Sequence, residues 1–301
     1  MRSFAMNSGD VSRKADFSND MTWVVTCDLT FDVTEAAEVA VQIVAADSAG
    51  TRTSEQFDVA TDGLPPMSID EIRTPRGERV HVIHSLPGRL TIAYRSELDA
   101  PPKSSDTTGQ LGIRVTGSPP TGYERQLYLR PSRYCPSDHL VGFAVAEFGM
   151  DTDVGSHVSA ITEWIRRRIS YVPGSSDVHD SAEDTLLTGM GTCRDFAHLG
   201  IALCRATGIP ARFAAVYAPG LFPMEFHAVF ETLQFGRWYV HDPTGLAPRP
   251  SLVRIATGRD AADAAFSAVN SGVAELEYLD VSATVGSDLP WDDSLQIVEL
   301  P

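Results

Sequence analysis

The hydrophobic period of this chain changes partway along, and that change limits what it can fold into. In the first third, apolar residues recur at every second position; from Val158 to about Thr207 they recur at every third or fourth. In MTWVVTCDLTFDV, Trp23, Val25, Cys27, Leu29, Phe31 and Val33 alternate with Val24, Thr26, Asp28, Thr30 and Asp32. Successive side chains of a strand point to opposite faces, so this run predicts a half-buried strand. Val39, Val41, Ile43 and Ala45 repeat the pattern, as do Val80, Val82 and His84, and then Leu90, Ile92 and Tyr94 after the turn LPGR. Several such strands, broken by Gly, Pro and Asp clusters, predict a β-sandwich over roughly the first 120 residues. Cys27 shares a face with Trp23 and Phe31 and reads as a packed core thiol.

APPKSSDTTGQ, residues 100–110, has the composition of a flexible loop, and the Pro-rich YLRPSRYCPSD, residues 128–138, opens a region of different character. There Val158, Ile161, Ile165, Ile169 and Val172 form one helical stripe, with Trp164 beside it and Arg166, Arg167 and Arg168 mostly in solvent. A short helix is predicted over 181–188, with Ser181 as N-cap and Asp184 completing a capping box. Another is predicted over 192–207, ended by Gly208 at the left-handed C-cap position and by Pro210. Apolar nearly all round, this second helix belongs in the middle of a domain. A strand, ARFAAVYA, and a hairpin, FHAVFETLQFGRWYVHDP, follow. A length of 301 residues is long for one core. The expected division is a disordered leader at 1–18, an N-terminal β-sandwich accessory domain at 19–127, and an α+β domain with C-terminal strands at 128–301.

Charge narrows the partners. The 24 Lys and Arg against 40 Asp and Glu give a net charge of −16, which repels phosphate backbones and anionic lipids and argues against nucleic acid or a membrane surface as partner. No run of 18 apolar residues is present, and the first twenty residues lack the apolar segment of a secretory signal, which predicts a cytoplasmic location. Cys27, Cys135, Cys193 and Cys204 form no C-x-x-C pair, so neither a disulfide framework nor a structural zinc is expected, and no cofactor or metal is called for.

One cysteine stands apart. In GMGTCRDFAHLGIALCRATGIP, residues 189–210, Cys193 falls in the first turn of the buried helix. Unpaired N–H groups and the positive end of the helix dipole favour an anion there. Gly189 and Gly191 remove side chains just before it, which gives a substrate backbone room to approach. Cys204 lies about 16 Å further along the axis among apolar neighbours and reads as core. A thiolate nucleophile needs a base, and the base needs an orienting acceptor. His227 starts the strand HAVFETL, whose hairpin partner RWYVHDP ends in Asp242 before Pro243. An even loop centred on Phe235-Gly236 puts Trp238 opposite Leu233 and Val240 opposite Glu231, so Asp242 and His227 become diagonal neighbours on one face. An odd loop puts His241 there instead. Taken singly, a cysteine at a helix start or a histidine in a strand is most often a packing residue. His81, His84, His139, His157 and His179 take that reading, and His198 points about 140° away from Cys193 around the helix. The ordered set of glycine break, cysteine, histidine and aspartate changes the balance.

GMGTCRDFAHLGIALCRATGIPARF, FHAVFE and WYVHDPTG together resemble the three signature blocks of the transglutaminase-like superfamily, in its bacterial branch of candidate cysteine proteases, over roughly residues 156–245. YLRPSRYCPSD and IATGRDAADAAF are similar to further blocks of that branch, and the β-rich N-terminal part to its accessory domain. The resemblance implies a papain-like catalytic domain with a central helix against an antiparallel sheet. It also implies that Cys193 is the nucleophile, His227 the general base and Asp242 the orienting carboxylate, which favours the even loop. The implied activity is thiol-dependent acyl transfer from a carboxamide or peptide bond of a peptide or protein substrate, to water (peptidase or amidase) or to an amine (transglutaminase). The Cys193 N–H would be one oxyanion donor. Tyr171, upstream, is a candidate second donor, and Gly191 a candidate substrate contact. Val229 and Val216 stand where the family often has tryptophan and glycine. Three rivals are an arylamine-acetyltransferase-like transfer, a non-catalytic scaffold on the same fold, and a metal site of Cys193, His198 and His227. The last is disfavoured because no ligand pair has i, i+4 spacing.

Overall fold

A computed structural model describes residues 21–100, 121–150, 153–294 and 296–301. The leader expected at 1–18 and nearly all of the loop expected at 100–110 lie outside the described residues. The first strands are β1 (Thr22–Val41), β2 (Thr51–Thr61), β3 (Ser68–Arg73), β4 (Arg79–Ser85) and β5 (Gly88–Asp99). They form an antiparallel sheet in the order β2-β5-β1-β4-β3. One side of β1 pairs with β5 along Thr22–Val33 and then with β4 along Ala37–Val41. Alternation sets the inner face of β1: Trp23, Val25, Cys27, Leu29, Phe31 and Val33 are all buried. β4 reverses the expected parity. Arg79, His81, Ile83 and Ser85 are buried, while Val80, Val82 and His84 are half-buried. Polar partners make this possible: Arg79 pairs with Glu55, and the His81 ring stacks on Phe57 at 4.2 Å.

The next elements are α1 (Gly122–Leu127), α2 (Val141–Phe148), α3 (Val154–Arg168), β6 (Ser170–Tyr171), α4 (Ala182–Thr188), β7 (Met190–Gly191) and α5 (Cys193–Ala206). Then come β8 (Ala211–Tyr217), β9 (Phe226–Gln234), β10 (Arg237–His241), β11 (Val253–Gly258) and β12 (Ser267–Val285). Val158, Ile161 and Ile165 seat α3, and Ile169 is buried just beyond it. Val172 does not continue this stripe, because the helix ends at Arg168 and the chain enters β6. Ser181 and Asp184 form the expected capping box of α4, and Gly208 adopts φ +81° beyond α5.

A four-stranded antiparallel sheet, in the order β10-β9-β8-β11, carries α5 on one face. The approach is close: a Cβ on Gly200 of α5 would lie 2.5 Å from the Phe230 ring. β12, grouped with the C-terminal part on sequence, pairs along β1 from Trp23↔Val285 to Val41↔Ser267 and so completes the first sheet. Its inward residues Val281 and Ala283 meet that sheet's core. The two halves are also joined by the buried Glu78 carboxylate, which accepts from the N–H of Thr257 at 2.8 Å.

Candidate active site

Of the four cysteines, Cys27, Cys135 and Cys204 are buried and Cys193 is half-buried. Burial pushes the three enclosed thiols up, Cys135 to about 12. Cys193 opens α5, and Thr192 caps that helix together with Asp195. This box is of the same kind as that of Ser181 and Asp184, and its T-x-x-D spacing is legible in the sequence.

The hairpin of β9 and β10 has a two-residue loop, with Phe235 at φ 51° and Gly236 at φ 78°. Two left-handed residues in succession match the right-handed twist of the flanking strands. The register is even, with Trp238↔Leu233 and Val240↔Glu231. Asp242 therefore follows on the face that carries His227, and its Oδ2 lies 2.9 Å from His227 Nε2. Both residues are buried. An ionised carboxylate can only accept, so Nε2 carries the proton. The other carboxylate oxygen, Oδ1, accepts from the Thr244 N–H at 2.9 Å and the Thr244 hydroxyl at 2.6 Å, which prevents rotation of the group. Arg166 Nη2 donates to the Asp242 carbonyl at 3.2 Å and to Ser294 Oγ at 3.1 Å. Arg166 is thus tied to the strand end while remaining exposed, as its helical position suggested.

Burial by itself would depress the His227 pKa. The Asp242 carboxylate overrides burial and, with the Cys193 side chain, raises it well above the ordinary value. Nδ1 is buried without a hydrogen bond of ordinary geometry. Because Nε2 is engaged by Asp242, Nδ1 is the nitrogen left for the interaction with the thiol. His241 points to the other face. Its Nε2 lies 2.8 Å from Thr232 Oγ1, its ring packs 5.1 Å from that of Phe230, and burial beside Arg249 holds its pKa down at about 3.

Tyr171 pairs in register with Gly191 through the short parallel β6–β7 ribbon and stands edge-on to Phe196 at 6.0 Å. Burial, followed by Cys193, Glu225, Asp242 and Asp195, raises its pKa to about 12, so the phenol keeps its proton and can donate. Gly189 and Gly191 are required by the chain itself. Gly189 is the left-handed C-cap of α4 at φ 70°, and a Cβ on Gly191 would lie 2.7 Å from Asp195 Cβ. His198 Nε2 accepts from the Ala261 N–H at 3.1 Å while its ring stacks on Tyr134, and burial lowers its pKa to about 3. It is therefore committed elsewhere than to Cys193 and His227. No group of three or more His, Cys, Asp or Glu suited to a metal occurs among the described residues. A separate cleft of about 340 Å³ opens beside Asp242, walled by Leu246, Pro248, Leu289 and Trp291; neither Cys193 nor His227 lines it.

A cysteine at the head of a central helix, together with a histidine–aspartate pair on an antiparallel sheet, defines the papain-like class of α+β fold. Residues 144–243 match the sequence profile of the transglutaminase-like superfamily. A crystal structure from Cytophaga hutchinsonii, described as a candidate cysteine protease, is 34% identical, covers 92% of this chain and 96% of its own, and superimposes with a TM-score of 0.78. An uncharacterized Mycobacterium leprae protein is 30% identical over 148 residues, 46% of this chain; the chain spans about half that relative's length, 52%. The chain belongs to the transglutaminase-like superfamily.

Proposed function

We propose that this protein is a thiol-dependent acyl-transfer enzyme that cleaves a carboxamide or peptide bond of a peptide or protein through Cys193, His227 and Asp242. One observation carries the reading: His227 is locked to Asp242 through Nε2 while its other buried nitrogen lacks a conventional partner and the ring interacts with Cys193. In the first step Nδ1 takes the thiol proton, and Sγ attacks the carbonyl carbon. The raised imidazole pKa favours the proton's residing on His227. The Cys193 N–H and the Tyr171 hydroxyl supply the negative oxygen with donors. As the tetrahedral species collapses, the C–N bond breaks, and His227 returns its proton to the departing amine, leaving a thioester. Water, or an amine acceptor, then gives a proton to His227 and displaces Sγ. Asp242 fixes the imidazole tautomer and stabilises the imidazolium throughout.

Hydrolysis and transamidation share every step up to the thioester, so the acceptor separates them. A panel of fluorogenic peptides should be turned over with and without a primary amine. The expected result is release that disappears in Cys193→Ala, with amine incorporation marking a transglutaminase and its lack a hydrolase. Release that persists in Cys193→Ala, or thiol-independent turnover, overturns the proposal.

A further inference from the structure

We propose that Asp195 is a positioning residue that aims Cys193 at His227; the inference rests on Cys193 being the nucleophile. Asp195 is buried at 1% exposure. Its Oδ2 accepts from the Thr192 N–H at 2.7 Å and from the Thr192 hydroxyl at 2.9 Å. Its Oδ1 lies 3.4 Å from Arg194 Nη2, and Arg194 is itself tied to Ser176 Oγ at 2.7 Å and to the Asp177 carbonyl. The Thr192 N–H belongs to the peptide between Gly191 and Thr192, one peptide before the one that carries the Cys193 N–H. Asp195 therefore fixes the backbone that delivers Cys193 into the helix.

The same short segment is held from its other side. The Ser170 and Val172 N–H groups donate to the Gly189 and Gly191 carbonyls at 2.8 and 3.0 Å. Between these two grips there is no slack: a Cβ on Gly191 would lie 2.7 Å from Asp195 Cβ and 3.0 Å from its Oδ2. The held segment leads to His227, whose ring interacts with the Cys193 side chain and whose buried Nδ1 has no other hydrogen bond. A carboxylate that only capped the helix would add stability and leave the reactivity of folded molecules unchanged. One that sets the direction of Cys193 controls both the approach of Sγ to Nδ1 and the aim of the Cys193 N–H. Small misplacements of that kind cost large factors in rate.

The test is the rate of Cys193 alkylation by iodoacetamide against pH, followed by peptide mapping, with a thermal melt of each protein. It needs no substrate. Asp195→Ala should alkylate about tenfold or more slowly at pH 7 than wild type in molecules that still melt cooperatively. Asp195→Asn, whose amide oxygen can still accept from Thr192, should recover most of that rate. Gly191→Ala should resemble Asp195→Ala, because the added methyl displaces the carboxylate without removing it, and it carries the test if Asp195→Ala does not fold. Rates for Asp195→Ala or Gly191→Ala within about twofold of wild type overturn the proposal, as does an Asp195→Asn protein as slow as Asp195→Ala. Wild-type Cys193 reacting no faster than in His227→Ala would instead overturn the assignment of the nucleophile, a distinguishable outcome.

Discussion

Two buried charge clusters sit four residues apart on one face of β9, and they are finished differently. Glu231 is fully enclosed, and its oxygens accept from Arg212 Nε at 2.7 Å and from Arg254 Nη1 and Nη2 at 2.8 Å each. Burial would raise its pKa, but the two guanidiniums lower it to about 2. Arg254 spends further donors on the carbonyls of Leu300 and Pro301, and Arg212 lies 4.2 Å over the Trp238 ring. His227 is as deeply buried and is likewise paired with an opposite charge, yet its Nδ1 has no ordinary hydrogen bond. His81 and His198 also bury an Nδ1 without an ordinary hydrogen bond, so what sets His227 apart is the interaction of its ring with Cys193. In the first cluster every acceptor is used and the result is structure. In the second, the nitrogen without an ordinary partner belongs to the ring that interacts with Cys193, where the proposed proton transfer would take place.

This contrast can be broken most severely at the thiol. Cys193→Ala should reduce peptide turnover to background, a loss of about 10³-fold or more, while Cys204→Ala, buried in the last turn of α5, should keep the rate per folded molecule. Asp242→Asn should cost about 10²–10⁴-fold in turnover with little change in fold. His241→Ala, whose partner is Thr232 on the other face, should cost little. If the two exchange places, the contrast fails. Glu231→Gln sharpens the other side of it. Stranding two buried guanidiniums should lower unfolding free energy by about 3–5 kcal/mol, measured by denaturant titration, while turnover per folded molecule stays at the wild-type value.

The smallest expected effect is a pH dependence. His227 has a raised folded pKa, so its contribution to stability is full below the ordinary histidine value of 6.5 and is lost as pH climbs through the folded value. Asp242 has a lowered one, so its contribution is full above the ordinary 3.8 and is lost as pH falls through its folded value. The melting-temperature gap between wild type and Asp242→Asn should therefore be widest between pH 3.8 and 6.5 and narrow above that window. A gap that widens with rising pH contradicts the pairing.

What could be read in advance was local. The α5 boundaries follow from Thr192 and Gly208, and the pairing of His227 with Asp242 follows from strand parity once the loop is Phe235-Gly236. Alternation alone could not choose the inner face of β4, since Arg79 and His81 alternate as regularly as Val80 and Val82, and only distant partners such as Glu55 and Phe57 decide it. The return of β12 to β1 and the reach of Arg166 to the Asp242 carbonyl span more than 75 residues each and leave no periodic trace. Thr244 could have been found: D-P-T is a turn in which the aspartate accepts from the residue two places on, as Asp242 does at 2.9 Å.

The most direct test sets the four thiols in competition. Native protein is treated at neutral pH with less than one equivalent of iodoacetamide, digested and mapped, for wild type and for His227→Ala. The expected result is label concentrated on Cys193 in wild type and largely lost from it in His227→Ala. Label spread evenly over the cysteines, or a Cys193 signal that His227→Ala leaves unchanged, would contradict the claim that His227 activates this thiol.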